Sequence, residues 1–414
     1  MSRGDPGVPC AALDGVRVLD FSHALAGPYC TLLLADYGAA NLQTGGSRRR
    51  HGPRLGTALR GRHLQLLPGP EPRKTRDLHR LKQPEGLALC LRLIDKMHVL
   101  IENSRPGSME KLGLGYEPVH RRNPRLVYCS ISGYGQDGTA RDEAAMDLVV
   151  QASSGLLSIT GTPKGEPVRC GYGVTDVTAG LFAVIGILLA LRARERTGRG
   201  QYVDVSMLDS MISTMSSNYA SYLGSGVVPR PMGTSFPTVV PYRVFHTMDR
   251  PLAIAVGSDR LWSAFCRALQ HPELEQHQDY ATNAQRIRNR AALESLLEAI
   301  LLRRGAAEWL ERMQAAGVPC SLVRNFEEVA EHPQCELRRM FPTLDHPTAG
   351  LHRVTGTPVK LSETPGGTGA PAPLLGQHTR SVLREFFDLD DDFLRELEAR
   401  RVIFESRLKP DSKE

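Results

Sequence analysis

The chain has 414 residues, 41% hydrophobic and 23% charged, which is long enough for two domains and too balanced for a disordered or fibrous protein. Its formal charge of +6 is local: residues 48–82 hold eleven basic against two acidic side chains, and the remainder holds 40 against 43. Outside that one segment the chain is not basic, and no nucleic-acid partner is expected.

The opening residues, MSRGDPGVPCAALDG, carry no apolar h-region and include an early acid, so no secretory or transit signal is expected. GVRVLDFS (15–22) alternates like a strand, and LAGPYCTLLLADYGA (25–39) reads as a turn followed by a short helix. The stretch 43–82 lacks Val, Ile, Phe, Tyr, Trp and Met, so it has nothing with which to fill a buried strand and reads as a disordered loop. A basic arm for nucleic acid fits it poorly, because no aromatic is present to stack on bases.

From residue 83 a helical period runs through EGLALCLRLIDKM into the apolar strand HVLIEN (98–103), the turn RPG, the short segment SMEKLGLG and the strand PRLVYCSIS (124–132). A helix over 146–153 precedes a long one beginning near Asp176, then the turn TGRGQ and the strand YVDVSM (202–207). Strands alternating with helices predict a parallel α/β sheet. The run 177–191 is short for a membrane span and reads as a buried core helix, so no membrane partner is expected. After a Gly/Pro/Ser-rich stretch (224–241), residues 242–325 read as a smaller α+β unit, with LAIAVGS (252–258) a strand ending in a helix cap, helices over 290–302 and 306–316, and VPCSLV (318–323) a strand. The tail from 371 is a proline turn followed by helix. The domain expectation is 1–224, 225–325 and 326–414. Eight cysteines without a Cys-x-x-Cys pair suggest reduced thiols in a cytoplasmic protein, and the thirteen histidines form no local zinc motif.

Three groups bear on chemistry. GYGQDG (133–138) satisfies G-x-G-x-x-G after a strand, yet TARDEAA delays the helix that would hold a pyrophosphate, so a glycine turn around Gly135 lining a pocket fits better than a dinucleotide site. Asp176 stands at the mouth of an apolar run, where an acid serves either as a helix cap, shared with Thr175, or as a fixed carboxylate nucleophile. Asp147 poses the same choice. Arg105 and Lys111 are solvated charges or, near a turn, phosphate ligands.

Seven segments in order resemble the family III CoA-transferases: VRVLDFSHALAGPYCTLLLADYGA (16–39), IENSRPGSMEKLGLGYE (101–117), NPRLVYCSISGYGQDG (123–138), DLVVQASSGLLSITG (147–161), GVTDVTAGLFAVIGILLAL…TGRGQYVDVSMLDS (173–210), AAGVPCSLVRNFEEV (315–329) and PLLGQHTRSVL (373–383). The resemblance implies a large Rossmann-like α/β domain formed by both chain ends, a smaller inserted α+β domain, and an interlocked homodimer. It puts the nucleophile on Asp176 and lays coenzyme A, a co-substrate with no permanently bound cofactor or metal, across Leu25, Ala26, Asn103, Ser104, Arg105, Lys111 and Glu143, Ala144, Ala145, Met146. Asp147 and Gly135 would line the substrate cleft, and Gly233 in PMGTSFP would belong to a mobile loop that excludes water. Leu25 replaces the glutamine of the oxalate-using branch, which favours a dicarboxylate such as succinate, glutarate or malate; Arg169 or Arg243 would meet its second carboxylate. The partners implied are an acyl-CoA, a small carboxylic acid and a second copy of the chain. Racemases of the same family carry a histidine before the equivalent of Asp147, where this chain has Met146. Where relatives read G-G-D-D-x-R, this chain reads GGSRRRHG, and an arginine for CoA phosphate is replaced near Gly46; the mismatch over 43–82 points to a shifted reading frame, with an inactive CoA-binding remnant as the alternative to an enzyme.

Overall fold

The computed structural model describes residues 11–43, 63–65, 81, 83–347, 349–369, 371–373, 377–387, 389–400 and 402–403. The chain divides into two compact units, one of Met1–Ser154, Cys170–Gly224 and Glu336–Glu414, the other of Gly155–Arg169 and Ser225–Cys335. Residues 155–169 group with the second unit although chain order sets them inside the first; the Gly233 N–H donates to the Gly161 carbonyl at 2.8 Å and stitches them to the 225–241 stretch.

The first unit is built on six strands, β1 (Arg17–Asp20), β2 (Ala40–Gln43), β3 (His63–Gln65), β4 (Val99–Glu102), β5 (Val127–Ser132) and β6 (Tyr202–Ser206), in the order β3-β2-β1-β4-β5-β6. Every neighbouring pair is parallel. β4 and β5 are buried along their whole length, as central strands of a sheet covered on both faces must be, and this is why their sequences are mostly apolar without an in–out alternation, with Glu102, Ser130 and Ser132 as buried polar exceptions. The chain steps outward from β1 through β2 to β3, then returns to β4 and continues to β6. The order reverses between β1 and β4, and in open parallel sheets ligands bind beyond the strand carboxyl ends at such a reversal.

Helix Pro84–Ile94 places Leu89, Cys90, Leu93 and Ile94 in the core around Leu19 and Leu100. The C-terminal helices Thr379–Phe387 and Asp391–Ala399 add Val382, Leu383, Leu394 and Leu397 to that core, each contributing about 1.5–3 kcal/mol of gross transfer free energy. Segment 43–82 supplies β3, an edge strand paired with β2 from Asn41↔His63 to Gln43↔Gln65, and the buried Leu81. Edge pairing needs only backbone groups, which any composition provides, so a strand forms where side chains alone predicted a loop. The replaced arginine position near Gly46, and with it most of the stretch read as frame-shifted, lies outside the described residues.

The long helix, Val174–Thr197, packs on α1 (Ala26–Asp36), β5 and β6. Its buried stripe is Thr175, Ala179, Gly180, Ala183, Ile187, Ala190 and Leu191, mostly small residues at three- and four-residue spacing. Gly180 lets the two helices meet: a Cβ there would lie 2.7 Å from the Ala26 carbonyl oxygen. The bulkier Leu181, Ile185, Leu188 and Leu189 are 40–65% exposed, which corrects the expectation of a helix buried all round. Among the described residues it is the one helix long and apolar enough to cross a membrane by length and composition, yet its small-residue face is committed to α1 and the sheet.

The second unit holds an antiparallel sheet of β7 (Tyr242–Phe245), β8 (Leu252–Ala255) and β9 (Cys320–Leu322) around Trp262, Phe265 and Trp309. Its buried Arg286 is fully engaged, donating to the carbonyls of Val240 and Tyr280 and to Asp259 while lying 4.8 Å from the Trp262 ring.

Candidate active site

The site grows from the carboxyl ends of β1 and β4. Asp20, the last residue of β1, is fully buried and accepts hydrogen bonds from Ser22 N–H (2.7 Å), Ser22 Oγ (2.5 Å) and Thr31 Oγ1 (2.8 Å). These close residues 20–31 into a tight entry to α1. Gly27 is required there, because a Cβ would fall 2.1 Å from the Ser22 Cβ. Across the order reversal, His23 N–H donates to Asn103 Oδ1 (2.9 Å) and Asn103 Nδ2 donates back to the His23 carbonyl (2.7 Å). Ser104 N–H donates to Glu102 Oε2 at 2.7 Å. The loop carrying Leu25 and Ala26 is thereby tied to the loop carrying Asn103, Ser104 and Arg105. Arg105 and, on helix Ser108–Lys111, Lys111 are exposed cations able to meet phosphate oxygens.

The loop after β5 is the third in the row. Gly133 is packed so closely that a Cβ would sit 2.1 Å from the Ala145 Cβ, which sets the stretch of Glu143, Ala144, Ala145 and Met146 against the glycine turn. Gly135, at φ +93°, donates its N–H to Ser132 Oγ (3.0 Å), and Gln136 N–H donates to Asp204 Oδ2 (2.9 Å). No helix follows this turn until Asp147–Ser153, so the G-x-G-x-x-G match is a bend and not a dinucleotide cradle.

The long helix enters through Gly173, which has no side chain to cap it. Asp147 supplies the cap from another helix: its Oδ1 accepts from Thr175 N–H (3.1 Å) and Thr175 Oγ1 (3.0 Å), and its Oδ2 accepts from Gln151 Nε2 (2.8 Å). Of the two roles the sequence offered Asp176, capping is therefore filled by a different acid. Asp176 stands in the first turn, and its carboxyl is raised to about 6 by burial and by the charge on Asp147, opposed by a backbone hydrogen bond from Ala26. A Cβ on Gly173 would lie 2.8 Å from Leu25 Cδ2 and 3.4 Å from Asp176 Oδ2, so Leu25 and the Asp176 carboxylate share the space that glycine leaves open.

Leu25, Ala26, Asp147 and Asp176 are thus brought together, Asn103–Arg105 are joined to them through His23, and Ala145 is joined to the Gly135 turn. Gly233, at φ +63°, belongs to the second unit, as does Arg243, whose guanidinium is paired with Glu294 at 2.8 Å. Sequence reasoning passed over Asp20, Glu102, Gln151 and Asp204. An acid ending an apolar strand, as in RVLD and VLIE, was the available signal, since such residues are buried only when partnered. What this arrangement can do is present a half-enclosed carboxylate, ionised above about pH 6, to an electrophilic carbonyl held over the three loops.

Comparison with known proteins gives the same region a context. Residues 13–379 match the family model described as CoA-transferase family III. The chain is 33% identical to the succinyl-CoA:glutarate CoA-transferase of Mus musculus over 96% of its own length and 91% of that protein. It is 34% identical to the acetyl-CoA:oxalate CoA-transferase of Acetobacter aceti, over 93% and 98%. Among solved structures, a CAIB/BAIF family protein from Brucella suis superposes with a TM-score of 0.76 at 30% identity, over 91% of this chain and 99% of that one.

Proposed function

This chain belongs to CoA-transferase family III, and from that premise we propose that it moves CoA from succinyl-CoA or another dicarboxylyl-CoA to a carboxylic acid through an aspartyl-CoA thioester on Asp176. The Asp176 carboxylate attacks the acyl carbonyl, the C–S bond breaks, and a mixed anhydride and CoA thiolate result. The thiolate then attacks the aspartyl carbonyl and expels the donor acid as its carboxylate, leaving CoA on Asp176. The acceptor carboxylate attacks that thioester, and the same two steps in reverse release the new acyl-CoA and restore Asp176. Thioester energy stays covalent throughout, so no other energy source enters.

The observation that carries this reading is the Asp176 carboxyl, raised to about 6 beside Leu25 and the Ala26 N–H at the reversal of strand order. A carboxylate more basic than an ordinary aspartate is the better nucleophile and is still ionised at neutral pH. Arg105 and Lys111 hold CoA phosphates in this account, and residues 143–146 lie along the nucleotide. Relatives at 33% and 34% identity are named for glutarate and for oxalate, so the acceptor is assigned from Leu25, whose apolar side chain offers oxalate no hydrogen bond. The exposed Leu181, Ile185, Leu188 and Leu189 stripe supports a homodimer that covers it, and the free thiols of the seven described cysteines are compatible with a cytoplasmic location.

Succinyl-CoA offered with glutarate, malate or oxalate in turn, with products read by mass spectrometry, tests the assignment. Glutaryl-CoA or malyl-CoA forming faster than oxalyl-CoA is expected; oxalyl-CoA as the leading product overturns the assignment made from Leu25. Deuterium entering the acyl α-carbon without CoA exchange would instead mark a racemase.

A further inference from the structure

We propose that Gln151 is a positioning residue of this reaction: its buried amide locks Asp147 and the approach to the long helix, and so sets where the Asp176 carboxylate stands. The inference rests on Asp176 as nucleophile. Gln151 is fully buried, one helical turn beyond Asp147. Its Nε2 donates to Asp147 Oδ2 at 2.8 Å while its Oε1 accepts the Cys170 N–H at 2.9 Å. The amide can stand only one way round, because the flipped form would set NH2 against a backbone N–H and oxygen against a carboxylate.

Through Asp147, the same amide reaches Thr175, whose N–H and Oγ1 both donate to Asp147 Oδ1. Residues 170 and 175 are therefore fastened to one short helix, and the chain between them, with glycines at 171 and 173, has few constraints of its own. Asp176 is the next residue. A packing role alone would be met by any side chain of this volume. What distinguishes glutamine is that one planar group satisfies an acceptor and a donor on opposite sides, keeping Asp147 in its capping orientation.

The test is the rate of adduct formation on Asp176 with succinyl-CoA, trapped by hydroxylamine, from about pH 5 to about pH 9, in wild type, Gln151→Met and Gln151→Glu. Methionine keeps the volume and removes both hydrogen bonds, so the rate falls about ten- to a hundredfold at every pH. Glutamic acid is isosteric: protonated, its carbonyl accepts from Cys170 and its O–H donates to Asp147, and the rate stays near wild type. Set against the Asp147 carboxylate, which itself interacts with the charge on Asp176, it holds that proton above the usual glutamate range. As pH rises and the proton leaves, two anions oppose each other and the rate drops, a descending limb that wild type lacks. A Gln151→Glu profile parallel to wild type, or a Gln151→Met enzyme at wild-type rate, overturns the proposal. Should Gln151→Met fail to fold, Gln151→Glu still decides. An adduct missing from wild type itself would instead strike at Asp176 as nucleophile, and the positioning proposal would fall with it.

Discussion

Asp20 and Asp176 lie at the same carboxyl-end rim of the parallel sheet, and burial lifts both carboxyls to about 6. Their surroundings differ. Asp20 is sealed inside the first loop by Ser22 and Thr31, which donate three hydrogen bonds to it. Asp176 lies at the entrance of the long helix beside Leu25, with a backbone hydrogen bond from Ala26, while Asp147 does the capping that would have occupied it. A raised carboxyl therefore does not mark a reactive group by itself. What separates the two acids is whether their lone pairs are already committed to the fold.

The comparison breaks most directly at Asp176. Asp176→Ala is expected to lower turnover by about a thousandfold or more while the protein stays folded, checked by product formation alongside circular dichroism. The folded carboxyl sits above its unfolded value of 3.8, so its ionised form opposes folding above about pH 6 and not below about pH 4. Asp176→Asn should accordingly raise the melting temperature at neutral pH and raise it less in acid. Asp20→Ala has the opposite profile: with the Ser22 N–H and hydroxyl left unmet, and Thr31 Oγ1 falling back on the Pro28 carbonyl, it costs about 3 kcal/mol in urea unfolding, yet the folded fraction still forms adduct. A folded Asp20→Ala protein with no adduct would erase the distinction between the two acids.

Smaller effects sharpen it. Gly180→Ala pushes against the Ala26 carbonyl at 2.7 Å and should cost about 2 kcal/mol by overpacking, with a matching loss of rate as α1 and its Ala26 N–H move off Asp176. In the pH profile, wild-type turnover should fall tenfold per unit below about pH 6. Because the Asp147 charge raises the Asp176 carboxyl, Asp147→Asn should move that limb to lower pH, while Gln136 and the glycine turn, held by Asp204, are untouched. A limb that stays in place would remove Asp147 from the electrostatics of the site.

Much of the fold could be read from the chain because the relevant strands carry their burial in their composition: VLIE and VYCSIS have no exposed face, and their shortness and flanking turn residues mark such mostly apolar runs as strands. The long helix was legible as a helix but not in its orientation, since hydrophobicity alone ranks Leu above Ala for the interior and the packing against α1 reverses that order. Asp176 could be singled out as an acid before an apolar run. Its freedom from capping could not, because the acid that caps the helix in its place bonds Thr175 from 28 residues away, and the His23–Asn103 tie that joins two loops spans 80. The hairpin Thr343–His346 and Gly350–Arg353 went unmarked because its side chains are mostly exposed and each strand carries a single apolar residue, Leu344 and Leu351, too few to register as a pattern.

The central claim is that Asp176, and no other acid at this rim, takes the acyl group. Wild type and Asp176→Ala should be incubated with succinyl-CoA, treated with hydroxylamine, digested and read by peptide mass spectrometry. The account predicts a hydroxamate on Asp176 in wild type and none in the variant. Turnover without label at Asp176, or label on Asp147 or Asp20 instead, would contradict it.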